Sequence, residues 1–274
     1  MVLLFTFPQL TLDTKLWLVL RSWLALAILC GGIARGAGPT YSAAGVVNAS
    51  NFSPGPFAPN SVISIFGSGL ARSTYALAAS DIAAGMLPFE LNYVRVYVQD
   101  CPVPLLFVSE GQINFVMSSI QNTGPVRIRV VTQGITGPEI TVTLTDCAPA
   151  LFELPGGYVI ATSADGKLLT PDAPAHAGDT IVVYATGLGR TTPNPALGEI
   201  PSFIGSILAL PSLKVALNGK PVDPALIKYA GLTPGCAGLY QINLVVPDGT
   251  PVDPQIDVTA GGPPPPVGLK LVVR

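Results

Sequence analysis

Histidine, the side chain most often used for proton transfer near neutral pH, occurs only once in the 274-residue chain, as His176. It stands in the segment Pro174-Ala-His-Ala-Gly178, which leads into an apolar run. A serine-hydrolase site would need a serine and a carboxylate beside it, and the chain has no Gly-x-Ser-x-Gly motif. A zinc site would need more ligands, but there is no Cys-x-x-Cys pair. We therefore predict a solvated loop histidine, no catalytic residues and no metal site.

Two carboxylates placed on either side of a glycosidic bond could hydrolyse it. The acidic residues of this chain instead occur singly, mostly near glycine or proline. The clearest cases are Asp100, Asp146, Asp223, Asp248 and Asp253. Aspartates in such places commonly accept hydrogen bonds from the backbone of their own turn. We predict turn aspartates, with adventitious calcium binding by a few of them as the alternative.

The glycine-rich segment from Phe66 to Arg72 could suggest a loop that binds a nucleotide phosphate. A dinucleotide fingerprint needs a third glycine that opens a helix, and Arg72 occupies that position. The segment instead predicts a backbone turn with positive φ at Gly69, and the matching segment predicts the same at Gly187. We expect both glycines to be structural and the protein to hold no cofactor.

Two Gln-Ile-Asn triplets are the motif whose role is hardest to assign. Because side chains alternate along a strand, Gln112 and Asn114 share one face, and so do Gln241 and Asn243. The amides could satisfy backbone groups of a neighbouring loop, or they could form a polar patch that contacts a ligand. Their presence in two places favours the structural interpretation, because a requirement of the core is duplicated together with the fold.

The chain contains an internal duplication. Residues 61–71 resemble residues 179–189, and residues 112–117 resemble residues 241–246. The offset between the copies grows from 118 residues at the first match to 129 at the second. The second copy therefore carries about eleven extra residues, which we place near 193–211.

The composition favours short strands over surface helices. Apolar residues make up 49% of the chain and charged residues 11%, with 29 glycines and 28 prolines. Each copy alternates apolar and polar residues in about seven short runs separated by turn signals. This pattern predicts an all-β protein of two tandem immunoglobulin-like β-sandwich domains, residues 37–149 and 150–274.

Residues 1–36 are predicted to be a secretory signal peptide. A basic residue precedes an apolar run that ends in small residues, and cleavage is expected near Gly36. The alternative is an uncleaved membrane anchor, which would be the chain's one contact with a membrane. The formal net charge of −2 becomes −4 without this segment, and no basic stripe remains. Nucleic-acid binding therefore has little electrostatic support.

Outside the signal segment the chain has three cysteines, Cys101, Cys147 and Cys236. Export would permit a disulfide, with one thiol left over. Cys101 falls between the third and fourth predicted strands, and Cys147 follows the last strand of the first copy. Both places lie at the same end of a seven-strand sandwich, so we predict a Cys101–Cys147 disulfide and a free Cys236.

Eight motifs occur in order along residues 43–274. They are VVNAS (46–50), APNS (58–61), FGSGL (66–70), VPLLFV (103–108), QIN (112–114), APALF (148–152), YATGLG (184–189) and GLYQIN (238–243). In these motifs the chain resembles the uncharacterised Solibacter C-terminal domain family of secreted acidobacterial proteins, and its units resemble the IPT/TIG group of immunoglobulin-like domains. The resemblance implies the fold and export. It implies no catalytic residue, because the family has no established activity.

These observations predict a non-enzymatic binding or spacer module outside the cytoplasm, secreted or in the cell envelope, with a surface protein or glycan as its partner. A carbohydrate-binding module is the main alternative, and a hydrolase is the third. Sugar-binding surfaces commonly present aromatic rings, and no tryptophan lies beyond the signal segment. The candidate rings are those of Tyr75, Tyr93, Tyr97 and Tyr158.

Overall fold

The computed structural model describes residues 38–261 and 268–274. The predicted signal segment 1–36, with both tryptophans, lies outside the described residues. The strands of the first repeat are β1 (Thr40–Asn48), β2 (Val62–Ser68), β3 (Tyr75–Ala76), β4 (Val94–Val98), β5 (Cys101–Val103), β6 (Leu105–Val108), β7 (Gln112–Val116), β8 (Gly124–Thr132), β9 (Ile135–Thr136) and β10 (Ile140–Leu144).

The second repeat continues from there to the end of the chain. Its strands are β11 (Ala150–Leu151), β12 (Glu153–Leu154), β13 (Tyr158–Val159), β14 (Ala161–Ser163), β15 (Thr180–Thr186), β16 (Thr191–Thr192), β17 (Ser206–Ile207), β18 (Leu213–Leu217), β19 (Lys220–Pro221), β20 (Ile227–Leu232), β21 (Tyr240–Val245) and β22 (Ile256–Ala260). The helical elements of the described residues are three 3₁₀ turns, Ala79–Asp81, Leu210–Ser212 and Pro224–Leu226.

The first repeat is a sandwich of two antiparallel sheets. One sheet has the strand order β1-β2-β7-β6-β3 and the other has the order β10-β8-β4-β5, with β9 paired to β8. In immunoglobulin terms, β1, β2, β7 and β6 correspond to strands A, B, E and D, and β10, β8 and β4 correspond to G, F and C. The alternation in β4 and β8 points one set of side chains inward, and Val96, Ile128 and Phe115 are fully buried between the sheets.

The second repeat has the same plan. Its larger sheet runs β11-β15-β21-β20-β17-β16, with β14 also on β15, and it faces the smaller sheet β19-β18-β22. Val183, Ile242 and Val258 lie in a second apolar core between these sheets. Within residues 268–274, Lys270 and Val273 form isolated bridges and not a continuous strand. The all-β, immunoglobulin-like prediction is confirmed by these strand orders.

The strand register repeats between the two copies. Phe66 of β2 pairs with Gln112 of β7, and Tyr184 of β15 pairs with Gln241 of β21. The motifs that match in sequence therefore occupy the same places in the ladder.

The position predicted for the extra residues of the second copy was wrong. The chain lengths from Phe66 to β4 and from Tyr184 to β18 differ by a single residue, so residues 193–211 hold almost none of the excess. The excess lies between β18 and β21, mainly in the longer connection from β20 to β21. Two sequence matches on either side of an insertion show that it lies between them, but they do not show at which residues.

Candidate functional site

Gly69 and Gly187 have the positive φ that the sequence predicts, +65° and +78°. Their surroundings differ, however. A Cβ on Gly69 would lie 3.6 Å from the nearest atom, the Gly38 carbonyl oxygen, whereas a Cβ on Gly187 would lie 2.1 Å from the carbonyl oxygen of Ala148. The turn conformation is shared by the copies, and the close backbone approach belongs to the second copy alone.

The Gln-Ile-Asn amides bond to one another. Gln112 Nε2 donates to Asn114 Oδ1 at 2.9 Å, and Gln241 Nε2 donates to Asn243 Oδ1 at the same distance. In the first copy Ser64 Oγ also donates to Asn114 Oδ1, at 2.8 Å, and Gln112 and Asn114 are each only 3% exposed. Amides that satisfy each other, buried in the first copy and half-buried in the second, favour the structural interpretation over a ligand-contacting patch. Their main partners are side chains of the same sheet and not the backbone of a loop.

The predicted Cys101–Cys147 disulfide is absent from the structure. Cys101, Cys147 and Cys236 are all free thiols. Cys101 opens β5 and Cys147 follows β10, and these strands are at opposite ends of the strand order β10-β8-β4-β5 in one sheet. Three strand spacings separate the two strands by about 14 Å, whereas a disulfide needs Cα atoms within about 7 Å. Cys147 instead packs in the second core, where its Sγ donates to the Leu188 carbonyl oxygen at 3.3 Å.

We expect the three thiols to react at different rates with iodoacetamide in the native protein. Burial raises the pKa of Cys147 and of Cys236 from 9.0 to about 11. At pH 8 only about a thousandth of each would be the reactive thiolate, and that fraction grows tenfold per pH unit below pH 11. Timed alkylation with peptide mapping should therefore label Cys101 first. Equal labelling of all three thiols in folded protein would contradict the raised pKa of Cys147, which is buried, and of Cys236, which is partly buried.

His176 is a solvated loop residue, as predicted. Its side chain is 64% exposed, and its backbone N–H donates to Asp179 Oδ2 at 2.8 Å. Within residues 38–261 and 268–274, no three metal-ligating side chains come together. In the same part of the chain, no helix is long and apolar enough to cross a membrane.

Only one of the predicted turn aspartates follows the prediction clearly. Asp223 accepts from the Ala225 backbone N–H at 2.9 Å. Asp100 and Asp253 instead contact arginines, and Asp146 lies 3.8 Å from Arg190. Distant arginines compete for these carboxylates, and a local sequence pattern does not reveal them.

A set of polar contacts joins the two repeats, and we call it the junction. Thr186 Oγ1 accepts from the Val62 backbone N–H at 3.0 Å and donates to the Gly238 carbonyl oxygen at 2.8 Å. Arg190 Nε donates to the Ser119 carbonyl oxygen at 3.0 Å, and its Nη2 donates to that of Gln121. The guanidinium thus fixes two carbonyl groups of the first repeat from the second.

Two loops extend the junction by backbone pairing. Met86 of the first repeat forms an antiparallel bridge with Glu199 of the second. The Leu87 N–H donates to the Gly198 carbonyl oxygen at 2.8 Å, and the Ile200 N–H donates to the Gly85 carbonyl oxygen at 2.8 Å. These bonds resemble a short piece of sheet between the repeats, so the junction has both side-chain and main-chain parts.

The outward side of the sheet β10-β8-β4-β5 carries an unusual group of side chains, which we call the arginine–tyrosine face. Tyr97 of β4 pairs with Arg129 of β8, and the guanidinium carbon lies 4.9 Å from the centre of the phenol ring. Asp100 is 3.3 Å from Arg129 and 3.1 Å from Arg127. Arg127 Nε also donates to Gln99 Oε1 at 2.9 Å. An aromatic ring and several planar polar groups are therefore presented together to solvent.

The other candidate tyrosines are placed differently. Tyr75 donates to Asp81 at 3.0 Å, and Tyr158 donates to Asp253 at 3.0 Å, so a carboxylate raises the pKa of each phenol. Tyr93 is 69% exposed beside the start of β4 and has a φ of +62°. Of the four predicted rings, that of Tyr97 lies within the arginine–tyrosine face.

Arg127 and Arg129 were not among the functional residues predicted from the sequence. The alternating pattern already places Arg127 and Arg129 on the outward side of one strand. The two arginines lie close to Tyr97 because β8 pairs with β4, and the local pattern does not show that pairing.

No family model matches the chain, and no curated protein matches it. Among solved structures it is similar to the surface glycan-binding protein SGBP-B of the Bacteroides ovatus mixed-linkage glucan utilization locus, in complex with a mixed-linkage heptasaccharide, at 10% identity and a TM-score of 0.33 over 79% of this chain. It is also similar to the surface glycan-binding protein SGBP-B of Prevotella bryantii, at 11% identity and a TM-score of 0.25 over 89% of this chain.

The chain spans 42% of the length of each of these two structures. A titin fragment, A168–A169, is similar at 11% identity and a TM-score of 0.24, over 87% of this chain and all of the fragment. The strand orders given above assign the fold.

Proposed function

We propose that this protein is a non-enzymatic, exported binding and spacer module of the cell surface, built from two repeats, residues 37–149 and 150–274, after a signal peptide. The observation that carries the proposal is the junction. A spacer has to hold what it carries at a fixed distance and angle, and the junction contacts join the repeats by buried hydrogen bonds. Adhesion or assembly of surface proteins is the role that this design would serve.

The chemistry of the junction supports a fixed joint. Neighbouring domains of one chain move relative to each other unless their interface is extensive and well packed. Here Thr186 is fully buried, and its hydroxyl group accepts from the Val62 backbone N–H of the first repeat. Separating the repeats would leave this N–H and the carbonyl groups bonded by Arg190 without their partners, at about 1–3 kcal/mol for each group that water does not reach.

The equivalent position in the first repeat provides a matched control. Arg72 follows Gly69-Leu-Ala as Arg190 follows Gly187-Leu-Gly, but Arg72 is exposed. If the junction sets a fixed joint, Arg190→Ala should broaden the distribution of interatomic distances in small-angle scattering of the full protein. Arg72→Ala should leave that distribution as in the wild type.

Binding and location require a second measurement. Labelled protein should bind saturably to cell envelopes isolated from the producing organism, and external protease should digest the protein on intact cells. Protection from protease in intact cells, or the absence of saturable binding, would contradict the proposed function. An identical scattering profile for Arg190→Ala and Arg72→Ala would remove the spacer part of it.

A further inference from the structure

The arginine–tyrosine face concentrates charge in a protein that has little of it. Charged residues make up 11% of the chain, yet three of its eight arginines, Arg95, Arg127 and Arg129, project from this one sheet face. Their acidic partners are Glu90, Asp100 and Glu139. The face thus carries six charged side chains, three of each sign, and is close to electrically neutral.

Stability does not account for this concentration. Arg127 and Asp100 are about half or more exposed, and ion pairs at such sites contribute about 0–1 kcal/mol each. An antiparallel sheet that turns one face to water can be covered by any set of polar residues. The choice of aligned arginines around a tyrosine is therefore not required by the sandwich.

The duplication gives an independent indication. The glycine turns and the Gln-Ile-Asn amides recur in both repeats, as features of the fold should. At the position of the Tyr97–Arg129 pair, the second repeat instead has Ala216 paired with Asp257. A feature that only one repeat has is not needed to form the fold that both repeats share. The Tyr97–Arg129 pair is such a feature, and this points to a role in binding.

We propose that the arginine–tyrosine face binds a neutral polysaccharide, an inference that rests on the proposed function and names its ligand class. Sugar rings carry adjacent hydroxyl groups, which both donate and accept hydrogen bonds, and an apolar C–H surface. Guanidinium groups are planar donors in a fixed fork, and carboxylates and the Gln99 amide are acceptors beside them. The Arg129 guanidinium lies 4.9 Å from the centre of the Tyr97 ring, and a sugar C–H face would pack against this stacked pair.

Charge and shape select the ligand further. Because Asp100 and Glu139 offset Arg127 and Arg129, a polyanion would gain little here, and its charges would meet carboxylates. The sheet is about 14 Å wide from β5 to β10, and Tyr97 and Arg129 lie on its two inner strands, β4 and β8. An open sheet face can bind the middle of a long polysaccharide, whereas a closed pocket would bind the end of one.

The test is affinity electrophoresis of the full protein in gels that contain a neutral β-glucan, xylan or galactomannan, with alginate as a charged comparison. At least one neutral polysaccharide should retard the wild type. Tyr97→Ala and Arg129→Met should each weaken binding about tenfold or more, as expected for loss of a stacking or forked contact. Both side chains project outward from the sheet, so thermal unfolding should show that the variants remain folded.

Tyr75→Ala and Lys214→Met are the controls and should bind like the wild type, because Tyr75 is on β3 of the opposite sheet of the first repeat and Lys214 is on the corresponding sheet of the second repeat. Retardation by none of the neutral polysaccharides, or by alginate alone, would overturn the proposal. Unchanged binding of Tyr97→Ala would overturn it too. If Tyr97→Ala abolished binding to envelopes stripped of polysaccharide, the ligand would be a protein. Saturable envelope binding that persists in any of these cases would leave the proposed function standing.

Discussion

Gly187→Ala is expected to lower the free energy of unfolding by about 3 kcal/mol or more. The left-handed backbone at φ +78° costs a residue with a Cβ about 1–2 kcal/mol. The new methyl group would also lie 2.1 Å from the Ala148 carbonyl oxygen and 2.9 Å from its carbon, so backbone must move. Moving it disturbs the hydrogen bond from the Ala148 N–H to the Gly187 carbonyl oxygen, which is 2.8 Å long. Overpacking of this kind adds about 1–3 kcal/mol.

Gly69→Ala is the matched control. Its backbone is also left-handed, but the nearest atom to a new Cβ is 3.6 Å away. It should therefore cost only the conformational term, about 1–2 kcal/mol. Urea unfolding of both variants measures the difference. Equal losses would show that the close approach of Gly187 to the Ala148 carbonyl group is relieved without cost.

Thr186→Val is expected to be the second large effect, about 2–4 kcal/mol of lost stability. Valine keeps the shape of threonine but has no hydroxyl group. The Val62 N–H and the Gly238 carbonyl oxygen would then lose their partner at a site that is fully buried. Leaving two buried polar groups unpaired costs more than the hydroxyl group gains from becoming apolar.

Thr186→Ser tests that explanation, because serine keeps the hydroxyl group and loses only a methyl group. It should cost about 1 kcal/mol. Thermal and urea unfolding of the two variants, side by side, give the comparison. If the serine variant were the less stable of the two, packing of the methyl group and not the hydrogen bonds would hold this part of the junction.

Local periodicity was sufficient to predict the strands that carry the candidate site. Residues 94–98 and 126–132 alternate apolar and polar side chains, and the structure has β4 and β8 there with the apolar set buried. The positive φ of Gly69 and Gly187 was likewise predictable, because a turn that needs it accepts few other residues. Each of these features is decided by a few neighbouring residues, so the sequence contains the whole cause.

The failed predictions depended on which strands become neighbours. Cys101 and Cys147 were expected to meet because both lie at one end of the sandwich, but β5 and β10 are at opposite ends of the strand order in their sheet. The same pairing that separates these cysteines brings Tyr97 beside Arg129. No local pattern fixes such neighbours, because they follow from the burial of all strands together.

By itself, the sequence determined the strand pattern, the duplication, the glycine turns and the solvated histidine. The tertiary structure decided the free thiols, the arginine–tyrosine face and the contact of Gly187 with Ala148. It also decided the junction, in which Thr186 and Arg190 bond to groups more than sixty residues earlier in the chain. The physical reason is range: φ preferences and alternation act between adjacent residues, whereas hydrogen bonds between strands and repeats form only after the chain has been brought together by burial of its apolar faces.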